Sequence, residues 1–228
     1  MSLGAPRVHR RVSGSTNDDA RALALAGAPH GTLVSAGAQT AGRGRSGRRW
    51  EAPPGSALLC SLVLRDAPEL LSLRAGVAVA ETAGERARLK WPNDVQLEGR
   101  KVAGILVEAR PRERWAVLGI GVNVAVELEL LPPELRASAG SLGLDAGAIE
   151  PWLERLLGAL ERALASPPAA LLAAWRERDA LLGRPVAWEG GAGTARGVDD
   201  AGRLLVDTPT GQRALDAGEV RLLARAGK

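Results

Sequence analysis

Four short apolar segments follow one another between residues 88 and 124, and they constrain the fold more than any other feature. They span Arg88 to Trp91, Val95 to Leu97, Lys101 to Ala109 and Trp115 to Val124, and the turns between them contain Pro or Gly. Such short connections join antiparallel neighbours, because parallel strands need a long crossover. The pattern therefore predicts an antiparallel meander.

Helices and further strands surround this meander. Ser15 and the two acids that follow it, Asp18 and Asp19, are typical of a helix start, and Gly31 is expected to end that helix. Small residues such as Ala75 and Ala78 indicate a second helix packed closely on the sheet. Helices are predicted over Ala20 to Ala28, Pro68 to Arg86, Pro151 to Leu164 and Pro168 to Leu182, and strands over Thr32 to Ala38 and Ser56 to Leu64.

The chain changes character at Gly183, where short β segments separated by Gly- and Asp-rich turns begin. We predict an α+β fold, with a mixed or antiparallel sheet that carries helices on one face, plus a C-terminal SH3-like β-barrel. The expected domains are residues 1–182 and 183–228. The barrel strands are predicted over Pro185 to Glu189, Thr194 to Val198, Arg203 to Asp207 and Val220 to Leu223.

Composition excludes several classes of function. Cys60 is the only cysteine, and His9 and His30 are the only histidines, so disulfide chemistry and sites built from Cys or His metal ligands are not expected. The apolar stretches are much shorter than the roughly 20 residues that cross a bilayer, and the N-terminus has no apolar signal core. We therefore expect a cytoplasmic protein without a membrane segment.

A loop at residues 42–50 concentrates four arginines and three glycines. Glycine lets backbone N–H groups approach an anion, and arginine binds phosphate or carboxylate through paired donors. No Gly-Lys-Ser/Thr ends the loop, so it is not a Walker loop. The open alternatives are a small-molecule phosphate site, a nucleic-acid contact and a solvated basic loop.

Lysine is rare in this arginine-rich chain and occurs only at Lys90, Lys101 and Lys228. Lys90 precedes a Pro-Asn-Asp turn that would hold it rigidly, and Lys101 begins a strand interrupted by Gly104. A glycine within a strand lets a ligand or a second backbone approach, or else marks a bulge. The next strand also contains glycines within an apolar run, in Gly-Ile-Gly-Val, and ends at Asn123.

Together these segments resemble the class I biotin protein ligases, the biotin–[acetyl-CoA carboxylase] synthetases. The resemblance rests on Gly-Arg-Gly-Arg-x-Gly-Arg-x-Trp, Lys-Trp-Pro-Asn-Asp, Lys-Val-Ala-Gly-Ile-Leu-Val-Glu and Gly-Ile-Gly-Val-Asn, in the family's order and spacing, after Ser-Thr-Asn at residues 15–17. It covers the whole chain.

The resemblance implies a role for each matching residue. Lys90 and Arg45 are the implied catalytic residues. The family often has a further aromatic residue beside the loop tryptophan, where this chain has Glu51. The biotin-binding residues implied are Ser15, Thr16, Asn17, Gln39, Arg43, Gly44, Arg45, Lys90 and Gly104, and the nucleotide-binding residues are Arg45, Arg48, Trp50, Lys90, Lys101 and Asn123.

The implied reaction is ATP-dependent activation of biotin to biotinyl-AMP, with Mg²⁺ as the phosphate counterion, and transfer of biotin to a lysine of a biotin carboxyl carrier domain. A homodimer is possible. Only fourteen residues precede Ser15, so we expect no helix-turn-helix domain and no DNA binding. The alternatives are a lipoate–protein ligase of the related fold and a nucleic-acid-binding protein built from the basic loop and the barrel.

Overall fold

The predicted meander forms one half of a seven-stranded mixed sheet. The computed structural model describes residues 2–216 and 218–223, so Lys228 and the end of the predicted barrel lie outside it. The strands are β1 Arg7–Arg10, β2 Leu33–Ala36, β3 Ala57–Arg65, β4 Arg88–Lys90, β5 Asp94–Leu97, β6 Arg100–Arg110 and β7 Trp115–Asn123. They lie in the order β1-β2-β3-β7-β6-β5-β4. The β4–β7 meander is confirmed, and only β1 with β2 pairs in parallel.

The β5–β6 turn shows how the sequence fixes this meander. Leu97 pairs with Arg100, which leaves Glu98 and Gly99 as a two-residue connection. Both residues have positive φ, 51° and 77° respectively. This is the backbone that a tight hairpin requires, and glycine adopts it without a steric cost.

Within the part of the chain that the structure describes, five α-helices accompany the sheet: α1 Thr16–Leu25, α2 Leu71–Ala83, α3 Pro133–Arg136, α4 Ile149–Ala165 and α5 Pro168–Glu177. No helix in the described part of the chain is long and apolar enough to cross a membrane. The expectation of helices on one face is corrected, because α1 packs on the face opposite α2 and α4. Along β3, Leu62 and Leu64 belong to the core beneath α2 and α4, whereas Val63 packs with Ala20 of α1.

The ends of α1 and α5 also differ from the prediction. Helix α1 ends at Leu25 instead of continuing to Ala28, because Gly27 takes the left-handed conformation and Ala28 N donates to Leu23 O at 2.9 Å. Helix α5 ends at Glu177 instead of Leu182. The residues after α5 leave the helix because their backbone forms hydrogen bonds with β4.

A second, five-stranded antiparallel sheet corresponds to the predicted SH3-like module. Its order is β11-β10-β9-β8-β12, and over the residues described the ladder is open between β11 and β12. Its apolar residues, such as Val186 and Val206, belong to the same core as the large sheet, so the two sheets are packed together. The strands are β8 Pro185–Trp188, β9 Gly191–Val198, β10 Leu204–Thr208, β11 Gly211–Leu215 and β12 Arg221–Leu222.

Candidate functional site

A cavity of about 310 Å³ lies over β3, β6 and β7, beside the N-terminus of α1. All of the predicted site residues line it, although they come from segments up to about a hundred residues apart in the sequence. The residues brought together are Ser15, Thr16, Asn17, Gln39, Arg43, Gly44, Arg45, Arg48, Trp50, Lys90, Lys101, Gly104 and Asn123. Their roles remain predictions, but their common location is a feature of the fold.

One end of the cavity carries a buried hydrogen-bond network at the start of α1. Gln39 Oε1 accepts from both the backbone N–H and the hydroxyl of Thr16, at 2.7 and 3.0 Å. Ser61 Oγ lies 2.8 Å from Thr16 Oγ1 and 2.7 Å from Asn17 Oδ1. Ser15 occupies the N-cap position but makes no capping hydrogen bond, so Gln39 supplies the cap that the sequence assigned to Ser15. These side chains are fixed before any ligand arrives.

Glycines in β6 and β7 make room for side chains of the site. A Cβ atom at Gly119 would overlap Asn17 Oδ1, and one at Gly121 would lie 2.5 Å from Trp50 Cε2. A Cβ atom at Gly104 would lie 2.9 Å from Trp50 Cζ3. The sequence left open whether a ligand, a second backbone or a bulge explains these glycines. In the structure two side chains, the Asn17 amide and the Trp50 indole, occupy the space above them. The two β7 glycines therefore place these side chains along one strand.

Lys90 and Lys101 converge on one carboxylate. Lys101 Nζ lies 2.7 Å from Asp94 Oδ1, and Lys90 Nζ lies 3.9 Å from Asp94 Oδ2. Lys101 Nζ also lies 5.6 Å from the centre of the Trp50 ring. The Asp94 side chain is only 13% exposed, so its charge is shielded from water and holds both ammonium groups at the cavity wall.

The turn after Lys90 is anchored to the neighbouring strand. Asn93 Nδ2 donates to Ile105 O at 2.8 Å, and Ser72 Oγ donates to Pro92 O at 3.1 Å. Asn93 thus bonds to β6, and Asp94 pairs with the two lysines. The expectation that the turn holds Lys90 in place is consistent with these bonds.

The arginines of the 42–50 loop differ in their partners. Arg43 pairs with Asp18 and Glu108 at 2.7 and 3.0 Å, and Arg48 pairs with Glu219 of the C-terminal module at 3.0 Å. Arg45 makes no ion pair with a described carboxylate. Burial, followed by the charge of Arg48, lowers the pKa of Arg45. Its guanidinium is thus the loop cation with the greatest gain from an anionic ligand.

Two buried polar atoms in the cavity wall have neither a hydrogen bond nor an ion pair among the described residues. Asn123 donates to Gly140 O at 2.8 Å, which leaves its Oδ1 without a partner. The Trp50 Nε1 is also buried and without a partner. Buried polar groups are normally satisfied, so an acceptor and a donor are available to a ligand here.

Cys60 lines the same cavity, but its chemistry is limited. Burial raises the pKa of its thiol to about 12. The thiolate is the nucleophilic form of cysteine, so this side chain is unreactive at neutral pH.

Sequence reasoning missed Ser61, Glu108 and Glu219. Glu108 ends a motif that the sequence analysis quoted, but its contacts with Asn17 and Arg43 span 91 and 65 positions of sequence. Ser61 sits in an apolar strand, where a lone serine on the face opposite the core is the only available signal. No local pattern marks Glu219.

Two family models match the chain. The Biotin/lipoate A/B protein ligase family matches residues 10–124, which hold most of the cavity, and the Biotin protein ligase C terminal domain matches residues 181–223. The second match covers the five-stranded sheet.

Full-length relatives agree with these matches. A biotin--[acetyl-CoA-carboxylase] ligase of Mycobacterium tuberculosis is 38% identical over 91% of this chain and 85% of its own length. The enzyme of that name from Paracoccus denitrificans is 35% identical over 90% of this chain and 96% of its own. The structure of an Aquifex aeolicus biotin protein ligase in complex with biotin and ATP has a TM-score of 0.79 at 26% identity, covering 96% of this chain and 99% of that one. The chain belongs to the biotin protein ligase family.

Proposed function

We propose that this chain activates biotin with ATP to give biotinyl-AMP and pyrophosphate, and then transfers biotin to a lysine of the biotin carboxyl carrier domain of acetyl-CoA carboxylase. The observation that carries the proposal is the cavity itself, which joins a network of fixed amides and hydroxyls to a cluster of cations. The relatives named for this reaction and the solved complex with biotin and ATP support it.

The network at the start of α1 is the biotin end of the cavity. The ureido ring of biotin presents N–H donors and a carbonyl acceptor, which need partners in fixed positions. Ser15, Asn17 and Gln39 offer both kinds of group, and Ser61 and Thr16 hold them in place. Preorganised partners bind tightly because little side-chain entropy is lost on binding.

The lysines and Arg45 form the phosphate end. Adenylation brings the biotin carboxylate against the α-phosphate, and two unit charges about 4 Å apart repel by about 4 kcal/mol at an effective dielectric near 20. Lys90 and Lys101, which both pair with Asp94, lie where these two anionic groups would meet. Their charges offset that repulsion and stabilise the charge that builds up on the leaving pyrophosphate.

The first step requires no general base. The biotin carboxylate is already ionised at neutral pH, so one of its oxygens attacks the α-phosphorus directly and pyrophosphate leaves. Neither His9 nor His30 lines the cavity, and the Cys60 thiol stays protonated. Catalysis then rests on positioning and on charge.

The nucleotide lies beside Trp50, where Asn123 Oδ1 and Trp50 Nε1 provide an acceptor and a donor. When bound with ATP, Mg²⁺ would neutralise part of the charge of the phosphates. Among residues 2–216 and 218–223, no group of three or more His, Cys, Asp or Glu side chains could hold a metal ion.

In the second step, the amine of the acceptor lysine attacks the carbonyl carbon of biotinyl-AMP, an amide bond forms and AMP leaves. We assign residues 1–182 to biotin and ATP binding, and residues 183–228 to closing the nucleotide end and meeting the acceptor. The Arg48–Glu219 pair supports this division. ATP consumption and a carboxylase acceptor are consistent with a cytoplasmic enzyme, and homodimerisation stays a prediction.

Biotin-dependent exchange of labelled pyrophosphate into ATP tests the first step without an acceptor protein. Lipoate serves as the matched substrate, because lipoate ligases belong to the same family model. The match of the biotin ligase C-terminal domain favours biotin. We expect exchange with biotin and none above background with lipoate, and the reverse pattern would contradict the proposal.

A further inference from the structure

The amine of Lys101 is confined on three sides at the phosphate end of the cavity. Its Nζ lies 2.7 Å from Asp94 Oδ1 and 5.6 Å from the centre of the Trp50 ring. A Cβ atom at Gly104, which pairs with Asp94 across β5 and β6, would lie 3.2 Å from the same nitrogen. The amine therefore lies between a carboxylate, an indole and the backbone of β6.

This position exposes the chain to a side reaction. The inference rests on the proposed function, in which biotinyl-AMP forms beside Lys90 and Lys101. A neutral lysine amine at this point would attack the carbonyl carbon of biotinyl-AMP. A nitrogen–carbon bond would form, the bond from that carbon to the phosphate oxygen would break, AMP would leave, and the nitrogen would release a proton to water. The product is an amide on the chain itself, and the site loses a cation.

The charge of an ordinary lysine is not enough protection against this reaction. At pH 7 such an amine is neutral in about one molecule in 10³ to 10⁴. A group fixed beside its reaction partner reaches an effective concentration of about 10⁵ M or more. The small neutral fraction would therefore still react faster than the lysine of a dilute acceptor protein.

We propose that Asp94 is a positioning residue that protects Lys90 and Lys101 from acylation by the intermediate formed in their own site. Lys90 Nζ lies 3.9 Å from Asp94 Oδ2, so one carboxylate faces both amines. Attack requires an amine that loses a proton and turns toward the carbonyl carbon. Either change separates the cation from a carboxylate whose side chain is only 13% exposed, and breaking such a shielded pair is costly. The acceptor lysine comes from outside and has no such partner in the site.

Chemically prepared biotinyl-AMP tests this protection without relying on the first step. The full-length chain is incubated with an excess of biotinyl-AMP, without ATP or acceptor protein, and biotin on each lysine is followed by intact mass and peptide mapping. The chain has only three lysines, so one digest locates every modified lysine. Nα-acetyl-lysine in the same solution reports how fast the free adenylate reacts with an ordinary amine.

In the wild type, neither Lys90 nor Lys101 should be labelled faster than Nα-acetyl-lysine. Asp94→Asn keeps the size of the side chain and removes its charge. We expect labelling of Lys101 to become about tenfold faster or more, the effect expected when an opposite charge within about 4 Å is lost. Asp94→Ser, whose side chain is smaller, should give the same result if Asp94→Asn does not fold.

Asp199→Asn is the matched control. The Asp199 side chain is 17% exposed and pairs with Arg203, but it lies outside the cavity. The loss of this shielded carboxylate should leave the labelling of Lys90 and Lys101 as in the wild type. A general loosening of the fold would raise labelling in both kinds of variant, whereas protection by Asp94 raises it only in the Asp94 variants.

Labelling of Lys90 or Lys101 in the wild type faster than Nα-acetyl-lysine would overturn the inference. So would unchanged labelling in an Asp94 variant that binds biotinyl-AMP, with binding measured by calorimetry, or equal increases in the Asp94 and Asp199 variants. Failure of the proposed function is seen separately, because a wild type that does not bind biotinyl-AMP, or shows no biotin-dependent pyrophosphate exchange, would contradict that function before any lysine is mapped.

Discussion

Gly119 and Gly121 lie two positions apart on the same face of β7, and each makes room for a different side chain of the site. Asn17 fills the space above Gly119, and Trp50 fills the space above Gly121. Each glycine is required because a side chain from elsewhere in the chain occupies the position of its missing Cβ. The pair therefore offers matched substitutions that address the two ends of one cavity.

We predict that Gly119→Ala mainly weakens the use of biotin and that Gly121→Ala mainly weakens the use of ATP. Gly119→Ala displaces Asn17 and should raise KM for biotin about tenfold or more, the loss expected for about 1.4 kcal/mol, with KM for ATP changed less than about threefold. Gly121→Ala displaces Trp50 and should raise KM for ATP about tenfold or more, with KM for biotin changed less than about threefold. Steady-state kinetics with each substrate varied gives both values, and identical shifts in the two variants would contradict the division.

Lys90 is the residue on which the electrostatic argument depends most. Lys90→Ala should lower the rate of pyrophosphate exchange about 10²- to 10³-fold, because a cation is lost where negative charge accumulates. Arg88→Ala is the control, since Arg88 is an exposed cation two residues earlier on β4. Exchange within about threefold of the wild type in a folded Lys90→Ala variant would contradict the assignment.

The sequence indicated which individual residues belong to the site, and in the structure all of them line one cavity. Their partners could not be predicted, because Asp94 with Lys101, Glu108 with Asn17 and Arg48 with Glu219 depend on strand register and on packing of distant segments. A motif specifies which chemistry is present, whereas the contacts that orient it come from the fold.

Residues of the 42–50 loop line the cavity, and the loop's glycines make a single backbone conformation costly to fix. Ordering a residue costs roughly 1–2 kcal/mol in backbone entropy, which contacts must offset. The loop's own bonds, such as Trp50 N to Gly42 O at 3.0 Å, and the ion pairs of Arg43 and Arg48 supply part of this. Arg45 is half-buried and has no carboxylate partner among the described residues, so it is the loop arginine that we expect to bind the ligand.

Arg45→Gly should therefore release biotinyl-AMP faster. A charge-assisted hydrogen bond contributes about 1.5–3 kcal/mol, so we expect an off-rate about tenfold higher or more. The released adenylate should then label lysines on bystander proteins. Arg112→Gly, an exposed arginine outside the cavity, is the control. Equal off-rates and equal bystander labelling for Arg45→Gly and the wild type would restrict Arg45 to a surface role.

The connection from α5 to the second sheet contains a carboxyl group that is costly to ionise. Burial raises the pKa of Asp179 to about 6, above the usual value of about 3.9. Asp179 Oδ1 accepts from Leu181 N at 2.7 Å, and its Oδ2 is buried without a partner among the described residues. The folded state therefore binds this proton more tightly than the unfolded state, and the contribution of Asp179 to stability falls as pH rises from about 4 to about 6.

Asp179→Asn should remove this loss. Relative to the wild type, the variant should gain on the order of 2 kcal/mol in free energy of unfolding between pH 4 and pH 7, because asparagine has no charge to desolvate. Urea unfolding of both proteins across this range measures the difference. A difference that is constant with pH would show that Asp179 is ionised without cost.

Elements were predictable where periodicity and turn chemistry agree, as in the β4–β7 meander. Strand β1 was missed because it is short, largely exposed and rich in arginine, and it is recognisable only through its pairing with β2. Strand β11 was missed for the same reason, being exposed over most of its length. The predicted α5 was too long, because the residues after Glu177 form backbone hydrogen bonds with β4 and leave the helix although their sequence is compatible with one.

Among the described residues, one hydrophobic core extends across both sheets, and two smaller clusters lie apart from it. Trp91, next to Lys90, is buried and donates from its Nε1 to Gly202 O of the small sheet at 3.0 Å. Glu219 reaches the loop through Arg48 from the same side. The C-terminal module thus contacts both the segment that carries Lys90 and the 42–50 loop.

Exchange of labelled pyrophosphate into ATP tests the central claim most directly, because it reports reversible formation of an adenylate without need of a carrier protein. Purified full-length chain is incubated with ATP, Mg²⁺, labelled pyrophosphate and either biotin, lipoate or no acid. We predict exchange that depends on biotin, saturates with it and is lost with lipoate or with no acid. Exchange that is absent with biotin, or equal with and without it, would contradict the account.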